Sequence, residues 1–258
     1  MEPADVSRYL LRIGVAPEGS PTLERLRELH AAHLMRVPFE NLSIHLDEPI
    51  LLGPDDLVDK ILTRNRGGFC FELNGAFAML LSALRYRVTH LAARVWTGER
   101  FGPLFDHLVL AVDCPDRWLV DVGFGAHSLY PLRLEPEVDQ KDPGGTFRIA
   151  RGDHGDIDVI RDGGVQYRIE ERPRVLADFE AMCWWHQTSP RSHFTAAVTS
   201  TLQRPDGRIT ISGNRLIRTV GSERTETEIP EGELLESYER LFGLRLPRLP
   251  MVRFPRQG

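Results

Sequence analysis

Apolar positions change their period once along this chain. Over the first ~86 residues they recur every three or four positions, the spacing of amphipathic helices. The clearest case is Leu23, Leu26, Leu29 and Leu34, preceded by Ser20-Pro21. There Ser20 can cap and Pro21 can take the first helical position. Further helices are predicted over residues 54–64 and 70–84, the second burying Leu73, Phe77, Leu80, Leu81 and Leu84. This part reads as a small helical bundle. From Val88 the pattern turns to short alternating or continuous apolar runs: "VTHLAARV", "HLVLAV", "RWLVDV", "TFRIA", "DIDVI" and "VQYRIE", separated by Gly, Pro and Asp clusters. Strand following strand across turns predicts an antiparallel sheet or barrel. A helical piece near "VLADFEAMCWW" intervenes. Strand character returns in "SHFTAAVTSTLQ", "GRITIS" and "RLIRTV", and "EGELLESYERLFGL" reads as a closing helix. The expected class is α+β, with units over residues 1–86, 87–190 and 191–258.

Composition adds exclusions. The 258 residues are 41% hydrophobic and 27% charged, ordinary for a globular chain. A net charge of -5 supplies no positive field for nucleic acid. The longest uncharged apolar stretch, Gly75 to Leu84, is about half of what a membrane helix needs, so no membrane partner is expected. The N-terminus carries acids and no apolar core of a secretory signal, which predicts a cytoplasmic protein. Cys70, Cys114 and Cys183 are odd in number and widely spaced, which suits neither a disulfide framework nor a paired-cysteine zinc site. His30 and His33 sit three apart with no third ligand at metal spacing, so they are expected at the surface and no metal is expected.

The chemistry centres on "NRGGFCFELNG", Asn65 to Gly75. Gly67 and Gly68 permit a tight turn, and the helical period starts directly after them, which places Cys70 in the first turn of a helix. Unpaired N–H groups and the positive helix end favour thiolate there. A thiolate needs a base, and the base needs an orienting group. "HLVLAV" begins at His107 and "RWLVDV" runs through Asp121, with "DCPD" between them. A hairpin with a three-residue loop at Asp113, Cys114 and Pro115 pairs His107 with Asp121 across the ladder, beside Val109 and Leu119. The residues therefore point to a cysteine acyl-transfer site, with the distance from Cys70 to His107 not written in the spacing.

"VPFENLSIHL", "RGGFCFELNG", "AARV", "FDHLVLAV" and "WLVDVGFG" resemble, in order and spacing, the blocks of the arylamine N-acetyltransferases. The likeness extends more weakly through "DFEAMCWWHQTSPRSHF" and "DGRITISGNRLIRT". It implies an N-terminal helical bundle, a central antiparallel β-barrel and a C-terminal α/β lid around a cysteine-protease-like core. It also implies a ping-pong reaction: Cys70 takes an acetyl group from acetyl-CoA, and an arylamine, arylhydroxylamine or hydrazine attacks the thioester. His107 would accept the amine's proton, Asp121 would fix the imidazole, and the Phe69 or Cys70 amide would meet the developing oxyanion. By the same resemblance Phe39 and Phe124 would line the acceptor pocket, Gly123 and Gly125 would admit the acyl-CoA arm, and Arg66, Glu40 and Asn41 would form a buried supporting network. The chain departs from the pattern at Phe105 and Asp106, where relatives carry small residues ahead of the histidine. Bulk at Phe105 is expected to shape donor or acceptor binding. The departure keeps open a second activity of the same fold, an amide synthase releasing a polyketide chain from an acyl carrier protein as a macrolactam. Water as the acceptor, and a non-enzymatic fold, are also compatible with the residues alone.

Overall fold

The helix Cys70–Ala83 organises the molecule. Its first nine residues are all buried, including Cys70, Glu72 and Asn74. A helix apolar on nearly every side can only sit in the middle of a structure. One side packs against the helices Pro3–Ile13 and Leu23–Arg36, through Tyr9, Leu26, Leu29 and Phe77. The other side meets Leu108, Leu110 and Val112 of the strand His107–Cys114. The computed structural model describes residues 1–135 and 137–254.

That strand is shared between two cores. Side chains alternate across a strand, so Val109 and Ala111 turn away from the helix into a second core with Leu119, Phe147, Val159, Tyr167 and Ile169. This is the interior of an eight-stranded, nearly closed barrel. Its order is Leu132–Arg133, Asp116–Val120, His107–Cys114, Arg87–Val95, Gly164–Arg174, Ile157–Arg161, Gly145–Arg151, Asp139–Asp142, antiparallel at every pairing. The edge strands are joined by a side chain: the Gln140 amide accepts from Arg133 N–H at 2.7 Å and donates to Arg133 C=O at 2.9 Å.

A second sheet of five strands starts with Phe39–Glu40 from the N-terminal part and continues through Thr199–Arg204, Gly207–Ser212, Arg215–Val220 and Glu223–Glu228. Leu202, Ile209 and Ile211 on its inner face pack against Tyr238 and Phe242 of the closing helix Leu234–Phe242, which ends at Gly243 in the left-handed region (φ 71°). The expected α+β class, with a helical part ahead of an antiparallel barrel, is what the chain adopts. No helix among the described residues is long and apolar enough to cross a membrane.

Local details differ from the sequence expectation. Thr22, not Ser20, caps the helix Leu23–Arg36, its hydroxyl accepting from Arg25 N–H at 3.2 Å. The segment from Pro54 is helical only to Val58 and widens into a π-helical turn over Asp59–Thr63. "SHFTAAVTSTLQ" splits into a short helix His193–Ala196 and a strand that begins at Thr199. Asp139–Asp142 and Glu223–Glu228 carry no apolar period at all, because their strands form on exposed backbone pairing rather than on a buried face.

Candidate active site

Cys70 opens its helix and is buried. The chain enters along Phe39, whose backbone bridges Gly68 in parallel. That approach, and not a tight turn, demands the glycines: a Cβ at Gly67 would lie 1.9 Å from the Pro38 carbonyl oxygen. The helix start is fixed by Glu72, whose carboxylate accepts from Phe69 N–H at 3.1 Å and pairs with buried Lys60 on its other oxygen. The Phe69 amide is therefore committed. The Cys70 amide, first of the helix, has no carbonyl one turn back to reach.

His107 and Asp121 meet, but through a different register from the one the turn suggested. Cys114 pairs with Asp116 around Pro115, so the ladder is two residues offset from the expected one. Asp121 thus falls beside Val109 rather than His107. An offset of two keeps every side chain on its face, so both residues still point to the barrel-interior side, next to Val109 and Leu119. The side chains close the diagonal, with His107 Nε2 2.8 Å from Asp121 Oδ2. That leaves Nδ1 of the same ring for sulfur, and the Cys70 thiol interacts with it directly. Burial alone would lower the imidazole, but the Asp121 carboxylate and the Cys70 sulfur override it and raise it to about 10. Burial would likewise raise Asp121. His107, the nearby His127 and an Asn74 hydrogen bond hold its carboxyl well below the usual range instead. The other two thiols are placed differently: Cys114 donates to Pro21 C=O at 3.4 Å, and burial raises both it and Cys183.

Two polar residues to which the sequence assigned no role in the site, Asn74 and His30, hold this row in place. Asn74, one turn after Cys70 on the same helix face, donates to Asp121 Oδ1 at 3.0 Å and to Leu108 C=O at 2.7 Å, and accepts from Val122 N–H at 2.9 Å. Its spacing of four from Cys70 was the available signal. His30 and His33 are fully buried, not at the surface. The ring of His30 bonds Leu129 C=O through Nδ1 at 2.9 Å, so its Nε2 accepts from Asp121 N–H at 3.3 Å, and burial lowers its basicity. His33 bonds the Tyr9 hydroxyl through Nδ1 at 3.0 Å. Both fall on the stripe that buries Leu26 and Leu29, which marked that face as internal.

A cavity of about 770 Å³ opens on Cys70 and His107. Phe39, Phe124 and Phe194 form its aromatic walls. The Phe124 ring lies 5.2 Å from the His107 ring and the Phe194 ring 6.2 Å from Phe39. Phe105 does not line this cavity. Its backbone turns into the left-handed region (φ 62°), and its ring packs on Phe179 beneath the Arg174 guanidinium. Asp106 does reach the wall, with its carboxylate tied to Val95 N–H and to His186, each at 3.3 Å. Gly123 lines the cavity too, and its bare Cα is required by the helix: a Cβ there would stand 2.6 Å from Cys70 Cα. Gly125 lies beyond the wall, holds φ +85° and backs onto Phe39. Behind the cavity Arg66 grips both Glu40 oxygens at 2.9 and 3.1 Å. Asn41 ties the N-terminal part to the second sheet, donating to the Phe194 and Ala197 carbonyls and accepting from Thr199 N–H at 2.8 Å.

A family model described as N-acetyltransferase matches residues 22–250. The arylamine N-acetyltransferase / N-hydroxyarylamine O-acetyltransferase of Salmonella typhimurium is 33% identical over 253 residues, covering 92% of this chain and 87% of that protein. The arylamine N-acetyltransferase of Mycolicibacterium smegmatis is 36% identical over 225 residues, 82% of this chain and 81% of its own. The solved structure of Mycobacterium marinum arylamine N-acetyltransferase in complex with CoA superposes with a TM-score of 0.84 at 30% identity, covering 93% of both chains. Matched over most of its length in sequence and in fold, the chain belongs to the arylamine N-acetyltransferase family and is an acyltransferase.

Proposed function

We propose that this protein moves an acetyl group from acetyl-CoA to an arylamine, arylhydroxylamine or hydrazine through a thioester on Cys70. The observation that carries the reading is the row of Cys70, His107 and Asp121, whose first two members line a cavity walled by aromatic rings. In the first half-reaction the Cys70 thiolate attacks the acetyl carbonyl carbon, and the carbon–sulfur bond to coenzyme A breaks. The His107 imidazolium gives its proton to the departing thiolate. In the second, the amine attacks the thioester and loses a proton to His107 while Cys70 leaves as thiolate. Asp121 holds the imidazole by Nε2 in both steps. With the Phe69 amide committed to Glu72, the Cys70 amide is the helix-end donor assigned to the oxyanion. Flat acceptors fit between Phe39, Phe124 and Phe194. Arg66 and Glu40 support the wall from behind, Asn41 is part of the wall, and none of the three takes part in proton transfer.

The test is incubation with acetyl-CoA and an aryl hydrazide or arylamine. Free coenzyme A, N-acetylated product and, without acceptor, an acetylated Cys70 in the intact mass are expected, all lost in Cys70→Ala. Release of acetate alone would convert the proposal to a hydrolase. No acetylation of Cys70 in the presence of acetyl-CoA would sink it and leave the carrier-bound acyl donor of an amide synthase as the one to try.

A further inference from the structure

Beyond Asp121 the polar row continues into the barrel. The Tyr167 hydroxyl interacts with the Asp121 carboxylate, and on its other side it lies 3.0 Å from His127 Nε2. His127 is half-buried, its ring packed among Phe124, Phe147 and Tyr167 with ring centroids 5.5, 4.9 and 5.3 Å away. Its Nδ1 is buried with no hydrogen-bond partner among the described residues. A buried imidazole nitrogen left bare is uncommon, and it says which way the hydrogens run.

The Tyr167 hydroxyl has one hydrogen to give. An ionised carboxylate competes for it better than a neutral ring nitrogen does. With that hydrogen on Asp121, the tyrosine oxygen can only accept from His127, so His127 carries its hydrogen on Nε2 and its Nδ1 is the bare acceptor that the structure leaves unpartnered. We propose that His127 is a positioning residue for the triad, donating through Tyr167 to Asp121 and so moderating how tightly the carboxylate holds the His107 imidazolium. A donor bonded to the tyrosine oxygen makes its hydroxyl a stronger donor in turn. The charge on Asp121 is then drawn more strongly toward the tyrosine hydroxyl, and His107 releases its proton more readily, as departure of the coenzyme A thiolate in the first half-reaction requires. The titratable and charged groups facing His127 are Asp121, His107, His30, Arg161 and Tyr167. Burial lowers His127 itself to about 4, which keeps the ring neutral in this role. The proposal rests on the assignment of Cys70, His107 and Asp121 as the reacting row.

The experiment is NMR of the whole protein labelled with ¹⁵N-histidine, which reads the tautomer of each ring and the titration of His107 without any substrate. His127 is expected to be protonated on Nε2 in the unaltered protein. In His127→Phe the His107 midpoint is expected to rise by about half a pH unit, in the same direction as in Tyr167→Phe. His127→Gln, which can still donate, is expected to restore it. In the Tyr167→Phe background, His127→Phe should add nothing. Protonation of His127 on Nδ1, an unmoved His107 midpoint in His127→Phe, or an equal shift in the Tyr167→Phe background would each overturn the proposal. The tautomer is read on the unaltered chain and so stands even if the Phe variant does not fold. A His107 that titrates as an ordinary histidine, with Cys70 alkylated no faster than Cys114, would instead remove the triad assignment.

Discussion

Gly123→Ala puts the coupling between the helix that opens at Cys70 and the loop after Asp121 under direct strain. The added Cβ would lie 2.6 Å from Cys70 Cα, 2.7 Å from Asn74 Nδ2 and 3.1 Å from the Cys70 carbonyl oxygen. Ordinary carbon contacts are about 3.5–4.0 Å, so roughly 1 Å of separation must be found. Two of the three atoms are helix backbone and the third is a buried amide with two hydrogen bonds, so none is a flexible side-chain end that swings aside. Relief must move either the start of the helix, with the thiol on it, or the loop that carries Asp121 and bonds its Oδ1 through Gly123 N–H at 3.0 Å. A misplacement of this size costs about 10²-fold in rate. Forcing a methyl into a packed core costs about 1–3 kcal/mol, or roughly 2–12 °C in melting temperature for a chain this long. Acetyl transfer to an aryl hydrazide, followed by coenzyme A release, is therefore expected to lose about two orders of magnitude in kcat/KM, with slower iodoacetamide labelling of Cys70. A variant with unchanged kcat/KM would refute the claim that this loop and the helix start are in register to within an ångström.

The supporting groups give further expectations. Asn74→Ala leaves the Val122 N–H and Leu108 C=O buried without that partner and should lower stability by about 2–4 kcal/mol, read from the urea midpoint at constant m-value. Arg66→Leu leaves the Glu40 carboxylate buried and without its bidentate partner, at about 3–5 kcal/mol, and the double variant with Glu40→Leu should regain most of that in the same urea titration. Stability should also fall in acid in a definite window. Burial would raise the Glu40 carboxyl, but Arg66 and Lys60 hold it at about 2 against an ordinary 4.5. A depressed carboxylate stabilises fully above its unfolded value and loses that contribution as the pH drops from about 4.5 toward 2. Urea midpoints measured down that range should show the loss, and the double Leu variant should show less of it.

What could be read from the sequence followed the way each element is stabilised. The period of two that marked His107 and Asp121 as facing one side tolerated a wrong turn, because Pro115 slipped the ladder by two residues and not one. A slip of one would have sent Asp121 into the helical core and left His107 alone. The helix of Cys70 was legible because its burial is nearly complete, so its apolar run admits few other placements. Asn74, His30 and His33 were not, since a polar residue within a helical stripe carries the same letter whether it faces water or anchors a neighbouring backbone. What distinguishes them is a partner on another element: Asp121 for Asn74, Leu129 for His30 and Tyr9 for His33. Phe105 failed for a related reason, since a left-handed turn at a non-glycine residue re-aims the ring and has no signature in the residue itself. The site is thus written in two scripts. The proposed reacting groups stand at positions that local periodicity can locate, and the groups that hold them are defined only by contacts that exist once the barrel and the helical part have come together. The polar row from Cys70 to His127 joins the two, because its members come from a helix end, the strands of His107 and Tyr167, and the loop after Val120, and only the assembled fold brings them into one line.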